Sequence, residues 1–187
     1  MKRIVTILGS PKKSGNTASL LKTFERAAST NNEIIRINVS DYNIRGCLGC
    51  NACQKHLNVP GCIQKDDFDK TIHEIINSDL IIYSTPVYVW DFTSQMKALI
   101  DRHYCLVKFK NLNKPIYLLE NRHTALLATC GGDIIDNTDL IREVYKREMN
   151  YLHCISMGIY LFTDSSKNSN IINQNNITIN RMIEDLL

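Results

Sequence analysis

Three cysteines recur at every third position, Cys47, Cys50 and Cys53, and a fourth, Cys62, follows after eight intervening residues. Three thiolates spaced in this way can wrap a cuboidal iron–sulfur cluster, whose fourth iron then needs a sulfur from elsewhere in the chain. Cys62 is the nearest supplier, because Pro60-Gly61 just before it is a turn signal that brings the chain back. A [4Fe–4S] cluster is therefore the expected occupant. Two other chemistries draw on the same residues. A zinc ion prefers two separated cysteine pairs and tetrahedral closure, although four cysteines can serve it; free or reversibly oxidised thiols need no metal at all. Cys105, Cys130 and Cys154 fall in helical or strand-end settings and read as packing cysteines.

A second group of residues suits an anion. Gly9-Ser-Pro-Lys-Lys-Ser-Gly-Asn-Thr17 leads from an apolar run straight into a helical pattern. Hydroxyls and backbone N–H groups at a helix N-terminus attract phosphate, because the unpaired donors and the helix dipole act together. A Walker A loop needs four residues between its glycines and then Gly-Lys-Ser/Thr; here there are five, and Gly15-Asn16-Thr17 lacks the lysine. A dinucleotide loop needs Gly-x-Gly-x-x-Gly, and Ser10, Pro11 and Lys13 break that pattern. A phosphatase loop on a similar scaffold needs a nucleophilic cysteine, and none lies between residues 9 and 17. What remains is a monophosphate held by Ser10, Ser14, Asn16 and Thr17. The plainer alternative is a strand-to-helix turn with Ser14 or Asn16 as its N-cap.

Two more loops carry unusual residues. Ser84-Thr-Pro-Val-Tyr-Val-Trp-Asp-Phe-Thr93 stops a strand at Pro86 and then sets Tyr88, Trp90 and Phe92 at alternate positions, enough flat surface to stack on a ring system or to pack a core. Thr129-Cys-Gly-Gly132 ends another strand with two residues that have no side chain, which allows either a close approach to the backbone or an ordinary turn.

The elements that must position these loops follow from periodicity. Lys2 to Leu8, Glu33 to Val39, Asp79 to Ser84, His123 to Thr129 and Ile155 to Phe162 read as strands. Asn16 to Ala28, Asp66 to Asn77, Thr93 to Tyr104 and about Thr138 to His153 read as helices, with a closing amphipathic helix in the last ten or so residues. The Asn-rich stretch Asn168 to Asn176 is a loop by composition, and residues 103–123 form a hairpin or an extended excursion. Strands alternating with helices imply a parallel sheet covered on both faces, in the order 2-1-3-4-5, with ligands beyond the carboxyl ends of the strands. The three loops above all lie at such ends. Residues 1–187 read as one α/β domain with a cysteine-rich loop at about 44–65.

Gly-Ser-Pro-x-x-x-Gly-Asn-Thr, Pro86-Val-Tyr with a helix carrying Lys97 and Asp101-Arg102, and Ala128-Thr-Cys-Gly-Gly132 together closely resemble the NADPH-dependent FMN reductase and iron–sulfur flavoprotein group, across roughly residues 3–162. The resemblance implies a flavodoxin-like three-layer sandwich that holds FMN. Ser10, Lys12, Ser14, Asn16 and Thr17 would hold the FMN phosphate. Pro86, Val87, Tyr88, Val89 and Trp90, on to residue 92, would border the isoalloxazine, and Thr129, Cys130, Gly131 and Gly132 would meet its pyrimidine side. Iron–sulfur flavoproteins carry a cysteine run at this place, ending a few residues before Lys-Asp-Asp, matched here by Cys62 and Lys65-Asp66-Asp67. The spacer from Cys53 to Cys62 is longer than in the compact motif, and relatives with the same cysteines but no cluster belong to the same group. The family's dimer is built partly from the helix after Pro86, which implies a homodimer or homotetramer.

The implied function is electron transfer from NADH or NADPH through FMN to a quinone, a flavin or another small-molecule or protein acceptor, with a [4Fe–4S] cluster as a second centre. A flavin does its own hydride chemistry, so no acid or base is required of the protein. His56, His73, His103, His123 and His153 show no defensible pairing with a cysteine or carboxylate, and Asp101-Arg102 reads as a structural charge pair. A non-enzymatic electron carrier and a redox-responsive regulatory protein are the rival readings. With 44% apolar residues, scattered basic residues and a net charge of +3, neither a disordered chain nor a nucleic-acid binder is indicated. The apolar run Ile4 to Leu8 is too short for a signal peptide, and no stretch approaches the eighteen or so apolar residues of a spanning helix, so a cytoplasmic protein away from the membrane is expected.

Overall fold

The computed structural model describes residues 1–163 and 170–187. Its elements run β1 (Arg3–Leu8), α1 (Asn16–Ala28), β2 (Glu33–Asn38), α2 (Phe68–Ile76), β3 (Leu80–Pro86) and α3 (Ser94–Asp101). They continue β4 (Val107–Lys108), β5 (Ile116–Tyr117), β6 (His123–Cys130), α4 (Asp139–Tyr151), β7 (Ile155–Thr163), α5 (Ile171–Gln174) and α6 (Asn176–Leu186). Five strands form one sheet in the order β2-β1-β3-β6-β7, every pair parallel. Counted within the sheet, that is the expected 2-1-3-4-5, and the architecture is flavodoxin-like α/β.

Near-continuous apolar runs make the central strands. β1 and β3 are each buried at all positions but one, because helices cover both faces of a parallel sheet. Alternate residues serve opposite cores. Val5, Ile7, Ile81, Tyr83 and Leu126 face α2, α3 and α4, meeting Phe68, Ile72, Met96, Leu99, Ile141 and Tyr145. Ile4, Leu8, Leu80, Ile82 and Leu127 face α1 and α6, meeting Leu20, Leu21, Phe24, Ile179 and Met182. Each such aliphatic side chain contributes about 1.5–3 kcal/mol on burial, so the sheet is anchored from both sides along its whole length.

Two segments are more ordered than their composition suggests. The 103–123 excursion resolves into the antiparallel hairpin β4–β5, with Val107 opposite Tyr117 and Lys108 opposite Ile116. In the Asn-rich stretch, Asn168 lies outside the described residues, while Asn170 accepts from Ile172 N and starts α5 where a loop was expected. Buried Asn175 then donates to Thr163 O and Ile171 O, both at 3.0 Å, and clamps α5 to the end of β7. Asparagines that oppose helix interiors by composition act here as caps and clamps. Among the described residues no helix is long and apolar enough to cross a membrane.

Candidate functional site

Three loops meet beyond the carboxyl ends of β1, β3 and β6. Gly9 N donates to Ser84 O at 2.7 Å and Val87 N donates to Thr129 O at 2.7 Å, so each loop departs while still tied to its neighbour. The Thr93 hydroxyl donates to Gly9 O at 2.6 Å and accepts from Met96 N at 3.2 Å, capping α3 and clasping the first loop with one group. Gly9 has no room for a side chain, since a Cβ there would lie 2.9 Å from the Met96 Cβ. The hydroxyls of buried Thr17 and Thr129 are 2.7 Å apart and join the first loop to the third.

Within the first loop, Ser10 is buried and its hydroxyl accepts from Lys12 N at 3.1 Å. Lys12, Ser14 and Asn16 are exposed, and Lys13 pairs with Asp41, whose carboxyl is lowered chiefly by that contact. Gly15, not Ser14 or Asn16, is the N-cap of α1, and it brings no side-chain cap bond. A thirteen-residue helix thus starts without the side-chain oxygen that ordinarily takes up its first amides, beside buried hydroxyls. That is a fitting place for a phosphate.

The second loop is strained. Tyr88 N donates to Asp91 O and Asp91 N donates to Tyr88 O, closing a tight turn whose central residues, Val89 and Trp90, have φ of 50° and 64°. Both angles positive is the type I′ geometry that glycine and asparagine favour; a β-branched and a bulky residue there store about 1–3 kcal/mol each. Val89 is 85% and Trp90 50% exposed. The Trp90 indole N–H donates to Asp136 O at 3.0 Å, fastening this turn to the loop after β6. Phe92, by contrast, packs in the core and offers no stacking surface. Val87, Val89, Trp90, Cys130, Gly131 and Asn137 line a cavity of about 280 Å³. A Cβ on Gly131 would meet nothing within 4 Å, so its backbone is open to a flat body. Cys130 is buried, its thiol donates to Gly132 O at 3.2 Å, and burial pushes its pKa up, which suits a neutral lining group rather than a nucleophile.

The four motif cysteines line a second pocket, together with Gln64, Arg102, Tyr104 and Cys105. The chain from Arg45 to Asp66 has little regular structure, only a short 3-10 turn at Ala52–Lys55, and side chains from outside and within hold it. Arg102 donates to Arg45 O at 3.0 Å and to Asp66 at 2.8 and 3.3 Å, and its guanidinium lies 4.2 Å from the Phe68 ring centroid. Lys108 Nζ donates to Cys53 O at 3.0 Å and Pro60 O at 2.9 Å. Gln54 bonds Val107 O and Phe109 N, and Gln64 donates to Gly46 O. Left-handed backbone at Gly49, Asn51 and Gly61 makes the corners. At Gly61 no other residue fits, because a Cβ would sit 2.6 Å from His56 Cβ.

Cys47 and Cys50 are exposed, Cys62 is half-buried and Cys53 is buried. Burial pushes the Cys53 thiol up, partly opposed by the charge of Lys108, and lifts Cys105 to about 12. Among the described residues no group of three or more His, Cys, Asp or Glu side chains is gathered closely enough to hold a metal ion. Zinc would need its sulfurs about 2.3 Å from one point; a four-iron cluster is a larger body held at its corners by the same kind of donor. The donor chemistry, four thiols around one pocket backed by two cations, fits an anionic thiolate-ligated group.

Residues 2–153 match the family of NADPH-dependent FMN reductases. The chain belongs to that family. Two iron-sulfur flavoproteins of Archaeoglobus fulgidus are similar to this FMN reductase family member. One is 36% identical over 101 residues, 54% of this chain and 44% of the relative; the other is 35% identical over 130 residues, 69% and 59%. The chain thus spans about half the length of the curated relatives it matches. An FMN-dependent NADH-azoreductase from Bacillus anthracis in complex with FMN superposes with a TM-score of 0.72 over 97% of this chain and 96% of that one, at 13% identity, a likeness of fold.

In this FMN reductase family member the residues singled out from sequence fall into two places, the strand-end loops and the cysteine pocket. Sequence reasoning missed the side chains that hold the second place together. Asp101 pairs with Lys97 on its own helix, while Arg102 turns inward to Asp66, so the two adjacent charges are not partners. His103 likewise has a carboxylate partner after all: its Nδ1 lies 2.6 Å from Glu148 Oε1, both side chains buried. The segment that carries Lys108 was legible as a hairpin or an extended excursion, but the role of Lys108 in it was not. In each case the partner lies tens of residues away in the sequence, where no local pattern points to it.

Proposed function

We propose that the protein is an FMN-dependent oxidoreductase that takes electrons from NADH or NADPH and delivers them to a quinone, a flavin or another acceptor, with a [4Fe–4S] cluster on Cys47, Cys50, Cys53 and Cys62 as its second centre. The observation that carries this reading is the convergence of three loops, one leading into a helix whose N-cap is a glycine, one aromatic and one glycine-rich, on the ends of adjacent strands. FMN, when bound, supplies the hydride and single-electron chemistry. The chain's own residues bind and orient. Ser10, Thr17 and the first amides of α1 receive the phosphate, with Lys12, Ser14 and Asn16 on the exposed side. Thr129, the open backbone of Gly131 and the neighbouring Gly132 meet the pyrimidine edge, and Pro86 to Trp90 border the ring. Cys130 stays protonated and lines the cavity. The family membership and the iron-sulfur flavoprotein relatives support this assignment.

The exposure of Cys47 and Cys50 favours, as a second reading, a carrier that a partner reductase charges. We place the protein in the cytoplasm as a homodimer or homotetramer. Anaerobic mixing of the FMN-loaded protein with NADPH and with NADH separates the readings. Bleaching of the flavin bands followed by steady turnover with a quinone is expected; flavin that stays oxidised with both donors leaves the carrier.

A further inference from the structure

Lys108 is buried to 0% exposure on the two-residue strand β4, yet both of its recorded hydrogen bonds go to neutral carbonyls, Cys53 O and Pro60 O. Among the described residues no carboxylate forms an ion pair with it. A buried cation is costly unless an opposite charge meets it. Arg102 lines the cysteine pocket itself, 1% exposed. Its charge is matched by Asp66, but among the described residues its buried Nε–H has no acceptor. Behind the cysteine pocket there is thus a buried lysine held by two main-chain carbonyls, and on the pocket's lining, which includes all four motif cysteines, there is among the described residues one buried donor without an acceptor.

From this we infer that Lys108, assisted by Arg102, is a positioning residue that completes an anionic iron–sulfur centre: it staples Cys53 and Pro60 so that Cys53 and Cys62 face one pocket, and its charge offsets that of the thiolate-ligated cluster. The inference rests on the proposed cluster and deepens it. A cluster bound by four thiolates is anionic, and each electron added makes it more so; a cation fixed in a low-dielectric wall favours the added electron and raises the reduction potential. The two carbonyls that Lys108 grips are that of Cys53 and that of Pro60, two residues before Cys62.

The test uses the full chain, reconstituted anaerobically with iron, sulfide and FMN, as wild type, Lys108→Met and Lys108→Arg. Iron, acid-labile sulfide and flavin are counted, and the cluster is titrated with dithionite, which gives it one electron without a proton, while the spectrum of the reduced centre is followed. Lys108→Met is expected to lose most of the iron and sulfide while keeping its flavin. Where it retains a cluster, reduction is expected to be at least tenfold less favourable, about 59 mV more negative for one electron. Lys108→Arg, which keeps the charge, should recover part of either loss. Should Lys108→Met fail to fold, Lys108→Gln keeps an N–H donor without the charge and carries the same expectation. A Lys108→Met protein with wild-type iron and an unmoved potential overturns the inference and leaves the cluster standing. A wild-type protein that takes up flavin but no iron removes the cluster itself, and this inference with it.

Discussion

The loops that follow β1, β3 and β6 are tied by main-chain bonds such as Gly9 N to Ser84 O, whereas the chain from Arg45 to Asp66 is held by Gln54, Gln64, Arg102 and Lys108. The first region inherits its geometry from the sheet. Once five parallel strands pair in this order, their ends are adjacent whatever the loop side chains are. The second region has no such template. Its shape depends on a few buried polar side chains, and each one removed leaves a carbonyl or a charge without its partner. Strand-end loops should therefore lose less structure when a side chain is removed than the cysteine loop, which should fail structurally first.

Arg102→Ala puts that contrast under the greatest load. It strands buried Asp66 and releases Arg45 O, and breaking such a buried pair costs about 3–5 kcal/mol. A large drop in the thermal midpoint is expected, with proteolysis beginning between residues 45 and 66. A melting curve superimposable on wild type would erase the distinction between the two regions. Replacing Ser10 and Thr17 together by alanine is the matching change on the other side. Each hydroxyl that meets a charged phosphate contributes roughly 1.5–3 kcal/mol, so FMN affinity should fall at least about tenfold while the circular dichroism spectrum stays the same. Unchanged affinity would move the phosphate away from this loop.

A smaller effect concerns pH. Burial of Asp66 raises its pKa, but bonds from Arg102 and from the Arg45 and Phe68 amides outweigh this and hold it below the usual value. A carboxylate depressed on folding stabilises the protein fully above its unfolded pKa, near 3.9, and that contribution disappears as pH falls through the lower, folded value. Denaturant titrations should therefore show stability declining below about pH 4, with a shallower decline in Asp66→Asn. An equal slope in both proteins would take the acid response away from the cysteine loop.

The same contrast explains what could be read from the sequence. Sheet order, strand positions and the three strand-end loops follow from apolar runs of local period, and the structure returns them within a residue or two at most boundaries. The gathering of the four cysteines around one pocket was legible as spacing. Their wall was not. Lys108 and Asp66 lie 55 and 36 residues from the groups they meet, and such pairings leave no periodic trace. The Tyr88–Asp91 turn was also hidden, because Val89 and Trp90 are the wrong residues for it by propensity; local preference is overridden where the main-chain bonds and the Trp90–Asp136 contact hold the strained form.

Trp90 is the single tryptophan in the chain, so its fastening to Asp136 has an optical consequence. All indole emission arises from one half-exposed ring on the wall of the strand-end cavity. A yellow ring system entering that cavity would accept energy from it and darken it, while unfastening of the turn alone would shift its colour towards that of an indole in water. The protein thus carries its own lamp at the mouth of the site, and filling and opening can be told apart in a cuvette without a label.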